Sequence, residues 1–207
     1  MKHTLEKIEK LYSTSLKEHG VTSKSVGWRD EASQRLRFEK LATVIENKEG
    51  SVTVNDLGCG YGAMYNFLSK DYMVESYNGF DISDEMLDKA KHFIAHNDNV
   101  NLYKNDKLDT LAEYSFISGI FNVKFEEDEQ SWKDFIIQML ENINKFSKKG
   151  FSFNLLTSYV DYKEPHLYYG DPLFFFDYCK KNFSKKVSLI HDYNLWEWTI
   201  TVTKESR

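Results

Sequence analysis

The chain has 207 residues, enough for one domain with a sizeable core. Its 27 Lys and Arg against 32 Asp and Glu give a net charge of −5, which argues against a nucleic-acid-binding surface. No apolar run approaches the roughly 20 residues that cross a bilayer, and the charged start lacks the apolar segment of a secretory leader. Cys59 and Cys179 are far apart and form no metal pattern. They read as reduced thiols of a cytoplasmic protein, with no metal and no membrane partner.

In chain order, residues 1–50 read as a helical cap. Leu5, Ile8, Leu11 and Tyr12 recur at helical spacing. A break follows at 20–27, then a second helix over about 31–46 with Leu36, Phe38, Leu41, Ala42 and Ile45 on its apolar face. Strands and helices alternate from 52 to 150, which predicts parallel βαβ units. A helix over 134–146 precedes a strand at 151–156. The end reads as two strands, 187–190 and 198–202, joined by a turn. Asp171-Pro172 reads as an N-cap with proline at the first helical position.

The most informative stretch is Val54-Asn-Asp-Leu-Gly-Cys-Gly-Tyr-Gly62. A buried strand ends in Asp56, glycines follow at 58, 60 and 62, and a helical pattern begins at once. Strand, glycine turn and helix form the geometry by which an open α/β sheet binds a nucleotide-like ligand. Gly58, Gly60 and Ala63 also satisfy the dinucleotide fingerprint, and a glycine turn without a ligand is the third reading. Charge separates the ligands. A pyrophosphate would be repelled by Asp56, whereas the ammonium and sulfonium of S-adenosylmethionine would be attracted.

Asp-Leu-Gly-Cys-Gly-Tyr-Gly resembles the first motif of class I S-adenosylmethionine-dependent methyltransferases. The resemblance continues in Gly79-Phe-Asp-Ile-Ser-Asp-Glu-Met-Leu-Asp-Lys-Ala90. Asp81 ends a strand 25 residues after Asp56, where an acid would accept bonds from ribose hydroxyls. Ser83 is a candidate N-cap. The resemblance implies that Ile82 and Met86 pack on the adenine; ordinary core roles are the alternative. It also implies an adenine contact from Asp106, otherwise a loop acid. The donor site is thus expected to include Asp56, Gly58, Cys59, Gly60, Asp81, Ile82, Met86, Asp106 and Ser118. A strand over 114–122, ending in small residues, would bring Ser118, Gly119 and Asn122 beside the donor or acceptor. The expected fold is α/β and Rossmann-like: a seven-stranded, mostly parallel sheet with an antiparallel last strand and an N-terminal helical cap. Residues 1–50 would form that cap and 51–207 the S-adenosylmethionine-binding part of a single domain.

Three segments are expected at the acceptor. The terminal hairpin turns on the ligand edge of the sheet and carries His191, Asp192 and Tyr193. An imidazole suits proton removal near neutral pH, so His191 is the candidate base, with Tyr193 or Asp192 orienting it or holding substrate; an exposed polar turn is the alternative. The loop 158–178 offers Tyr159, His166, Tyr168 and Tyr169, while Phe174–Phe176 read as helix packing. In the N-terminal cap, Trp28 would face the acceptor, and Arg37 would pair with the donor carboxylate or be a solvated helix charge. The Gly-Trp, Arg-Phe-Glu, Asp-Pro-Leu-Phe-Phe-Phe-Asp and His-Asp-Tyr elements resemble short bacterial methyltransferases of surface-polysaccharide gene clusters.

The function expected is methyl transfer from S-adenosylmethionine to a hydroxyl or amine of a small molecule, such as a sugar, nucleotide-sugar or phosphorylated amine, leaving S-adenosylhomocysteine. The protein would be a monomer or homodimer. A donor-binding regulator without catalysis is the alternative. A nucleic-acid amino-methyltransferase lacks support, because its Asp/Asn-Pro-Pro-Tyr element has no counterpart after residue 117.

Overall fold

The computed structural model describes residues 1–46, 49–94 and 96–205. Helix α1 (Lys2–His19) leads through a 3-10 turn (Ser23–Val26) to α2 (Glu31–Ala42). The alternating part runs β1 (Ser51–Leu57), α3 (Ala63–Asp71), β2 (Met73–Asp81), α4 (Asp84–Phe93), β3 (Val100–Lys104), β4 (Ala112–Ile117), α5 (Glu129–Phe146) and β5 (Ser147–Thr157). Then come β6 (Tyr169–Gly170), α6 (Pro172–Asn182), β7 (Lys186–Ile190) and β8 (Glu197–Thr203).

The sheet order is β3-β2-β1-β4-β5-β8-β7, and the two-residue β6 pairs with the end of β5. Strands β1 to β5 are mutually parallel, whereas β8 runs antiparallel to both β5 and β7. This is the Rossmann-like sheet expected from the sequence, with β6 as an unforeseen addition. The order reverses at β1, flanked by β2 and β4. An open sheet of this kind forms its crevice there, beyond the strand carboxyl ends.

Both faces of the sheet are covered. Leu41, Met64, Leu68 and Tyr77 belong to the core that takes in α2 and α3. Trp132, Ile136, Phe153, Phe175 and Trp198 belong to the core that takes in α5 and α6. Two-sided burial leaves the carboxyl halves of the central strands β1 and β4 buried on both faces. A polar ladder runs inward from the exposed Asn101 on edge strand β3: Asn101 donates to Asn78 at 3.3 Å, buried Asn78 to buried Asn55 at 3.1 Å and Asn55 to the Thr110 carbonyl at 2.7 Å. Three helix starts carry aspartate caps, from Asp30, Asp128 and Asp171, and α6 has its proline at the first turn.

Several boundaries differ from the sequence reading. Helix α2 stops at Ala42, where the Thr43 hydroxyl takes the Lys40 carbonyl at 2.6 Å. Helix α5 starts at Glu129, because Asp128 caps it by accepting from the Ser131 amide. Strand β4 ends at Ile117: Gly119 has φ +79°, which no extended strand accommodates.

Candidate active site

Three loops meet beyond the carboxyl ends of β1, β2 and β4 around one cleft of about 1060 Å³, open solvent included. The loop after β1 needs its glycines. At Gly58, φ is +79°, and a Cβ there would lie 2.1 Å from Ile120 Cγ2. Asp56, Gly58, Cys59 and Gly60 all line the cleft. So do Asp81, Ile82 and Met86 from the β2 end and α4, Asp106 after β3, and Ser118 and Gly119 after β4. Trp28 reaches the same cleft from the 27–30 linker.

The two acids sit at the tips of adjacent strands. Asp56 is 2% exposed and accepts from the Tyr77 phenol at 2.5 Å. Burial pushes its carboxyl up to about 7, against the lowering effect of that hydrogen bond. Asp81 accepts from the Gly60 amide at 2.8 Å and the Ser83 amide at 2.9 Å. Burial raises it too, while those two amides pull it down. Thus Asp81 fixes the glycine loop to the start of α4. Ser83 caps that helix by accepting from the Met86 amide at 3.1 Å. Burial lifts the Cys59 thiol well above its ordinary value, so it is no nucleophile.

The structure places the other sequence candidates elsewhere. Arg37 does not line the cleft: its guanidinium is buried against Glu197 and stacks on Trp28 at 3.7 Å. Asn122 serves the chain itself, accepting from the Leu156 and Tyr168 amides. Tyr168 is 5% exposed within the apolar core, which removes it from a ligand surface. Tyr169 does not line the cleft, and its hydroxyl accepts from the Glu164 amide at 3.0 Å. Tyr159, His166, His191 and Asp192 are exposed. His191 packs beside the Tyr159 ring at 5.9 Å, and Asp192 pairs with Lys40 at 2.9 Å. The Tyr193 hydroxyl bonds Thr199 at 2.8 Å, and burial raises it far beyond use as a base at neutral pH.

Sequence reasoning missed a wall of the cleft. Leu5, Ile8, Glu9 and Tyr12 of α1 line it, with Phe135 and Met139 of α5. The apolar spacing of Leu5, Ile8 and Tyr12 was the available signal. Helix α1 is tied down where the Ser13 hydroxyl meets that of Ser83 at 3.0 Å and donates to Glu85 at 3.0 Å. Among the described residues no group of three or more His, Cys, Asp or Glu is placed to hold a metal ion. No described helix is long and apolar enough to cross a membrane.

Comparison with known proteins agrees with this geometry. Residues 54–150 match the model of a methyltransferase domain. Rv1506c of Mycobacterium tuberculosis, provisionally named a methyltransferase, is 42% identical over 164 residues, covering 78% of this chain and 99% of that protein. The DhpI complex with SAM and HEP has a similar fold: TM-score 0.68, 16% identity, 96% of each chain covered. Magnesium protoporphyrin IX methyltransferase from Synechocystis PCC 6803, solved with SAH, gives 0.65 at 10% identity, covering 99% of this chain and 97% of that one. A strand-tip acid, a glycine loop and a second acid in one cleft, together with the extent of the mycobacterial match, make this chain a member of the class I S-adenosylmethionine-dependent methyltransferases.

Proposed function

We propose that the protein transfers a methyl group from S-adenosylmethionine to a hydroxyl or amine of a small molecule and releases S-adenosylhomocysteine. The observation that carries this reading is the placement of two acids, buried Asp56 and half-buried Asp81, in one cleft with the glycine loop, whose Gly60 amide Asp81 holds. The residues fit such a donor. Anionic oxygens suit its cationic groups, the loop leaves room for close approach, and the buried Ser118 hydroxyl has no hydrogen-bond partner among the described residues. When bound, the donor supplies an electrophilic methyl on a sulfonium.

In this reading Asp56 holds the ammonium, Asp81 takes the ribose hydroxyls, and Ile82, Met86 and Asp106 border the adenine. Ser118 completes the donor site, and Trp28 faces the acceptor. Alignment of donor and acceptor supplies most of the acceleration, an effect of up to roughly 7–11 kcal/mol in model systems. A hydroxyl acceptor also needs a base, and exposed His191 is the proposed one, with Tyr159 beside it. The chain is proposed to act as one domain, as a monomer or homodimer, in the cytoplasm. A sugar or nucleotide-sugar of cell-surface polysaccharide is the acceptor class suggested by the sequence resemblance.

Calorimetric titration with S-adenosylhomocysteine and, separately, NADH tests the donor assignment. Micromolar binding of the first alone is expected. Binding of NADH alone, or of neither, would overturn it.

A further inference from the structure

A closed ring of contacts lies beside the cleft. The Gly119 amide donates to Asn154 Oδ1 at 2.9 Å. Asn154 Nδ2 donates to Glu197 Oε2 at 2.8 Å. Glu197 Oε1 pairs with the Arg37 guanidinium, which lies 3.7 Å over the Trp28 ring. That indole returns to Gly119, where an added Cβ would lie 2.5 Å from it. Only Trp28 and Gly119 of the five line the cleft.

The ring is an expensive way to hold a fold. The side chain of Glu197 is wholly buried and that of Arg37 is 9% exposed. Desolvating such a pair consumes most of its Coulombic gain. What the carboxylate supplies is orientation. Once ionised, the form that the Arg37 charge favours, it accepts only, so Asn154 must turn its NH2 toward Glu197 and its oxygen toward the Gly119 amide. The same carboxylate fixes the guanidinium plane on which Trp28 rests.

We propose that Glu197 is a positioning residue: through Asn154 and Arg37 it sets the Gly119 backbone and the Trp28 indole at the rim of the donor site, without touching ligand. This rests on the reading of the cleft as the donor site. Glutamine at 197 has the same size but offers one acceptor oxygen where two are used, so one arm of the ring must open.

The test is a double-mutant cycle in S-adenosylhomocysteine binding, with wild type, Glu197→Gln, Trp28→Phe and the double variant, each checked for a thermal transition. Glu197→Gln is expected to weaken binding about tenfold, equivalent to about 1.4 kcal/mol. The double variant should lose far less than the product of the two single losses, because both act on one contact. A purely structural role would lower the melting temperature, leaving the losses to multiply. Unchanged affinity in Glu197→Gln, or multiplying losses, would overturn the proposal. If Glu197→Gln does not fold, the cycle with Arg37→Lys decides by the same two criteria. Failure of the wild type itself to bind S-adenosylhomocysteine would overturn the donor reading and this inference with it.

Discussion

The phenol of Tyr77, fully buried on β2, donates to Asp56 Oδ2 on the neighbouring β1 at 2.5 Å. The bond favours the ionised acid in surroundings that otherwise oppose ionisation. Only the carboxylate pairs with an ammonium. Tyr77→Phe should therefore raise Asp56 further and weaken S-adenosylhomocysteine binding at pH 7 by roughly five- to tenfold, the worth of about one hydrogen bond. The pH at which binding reaches half its plateau should move upward. Titration calorimetry between about pH 6 and pH 9 measures both. An unchanged midpoint would show that the phenol only fills space.

The same acid couples stability to pH. In the unfolded chain Asp56 has its ordinary value of 3.8, and in the fold it titrates at about 7. Between those values the native state binds the extra proton, so this contribution to stability is greatest below 3.8 and falls until about 7. Three units correspond to at most about 4 kcal/mol. Asp56→Asn removes the slope and keeps an oxygen for Tyr77. The ligand-free variant should melt above wild type at pH 8, with the gap closing toward pH 5. It should also lose stabilisation by S-adenosylhomocysteine. Glu197, also raised by burial to about 7, adds a slope of the same sign that the variant retains.

The glycine-loop side of the cleft was legible because local sequence builds it. Asp56, Gly58, Cys59 and Gly60 are contiguous, and Asp81, Ile82 and Met86 follow one strand later. Glycine spacing and strand-end acids encode that geometry directly. The residues expected at the acceptor lie on segments joined only by tertiary packing. Arg37 finds Glu197 across 160 residues, and nothing local to either position announces the partner. Tyr168 looked like a ligand contact in an aromatic loop, but the loop folds back so that its amide bonds the Asn122 carbonyl and its ring enters the core. The β4 boundary was misplaced for a related reason. A strand pattern does not reveal that Gly119 turns left-handed against Trp28.

His191 gives a test of the acceptor side. It is exposed beside Tyr159 and does not line the cleft. His191→Ala should leave S-adenosylhomocysteine affinity within about twofold of wild type. Turnover of a hydroxyl acceptor should fall by roughly 10²-fold or more, the usual weight of a general base. An amine acceptor attacks with its own lone pair, so its turnover should change little. Equal losses with both acceptor types would assign His191 to substrate binding.

Below the cleft, the asparagine ladder makes a prediction about the fold alone. Asn78 is 4% exposed, donates to Asn55 Oδ1 and accepts from Asn101. Leucine at 78 has nearly the same volume, so packing is conserved, but Asn55 Oδ1 then loses its donor inside a fully buried position. An orphaned buried acceptor costs about 1–3 kcal/mol. Asn78→Leu should lower the urea midpoint accordingly with an unchanged m-value, since the exposed surface on unfolding is the same. Gly79 follows it at the cleft end of β2 and keeps its pairing with Asp56, so donor affinity should stay at the wild-type level. A loss of affinity without a loss of stability would mean that the ladder transmits strain to the strand tip instead of fixing the register of the sheet.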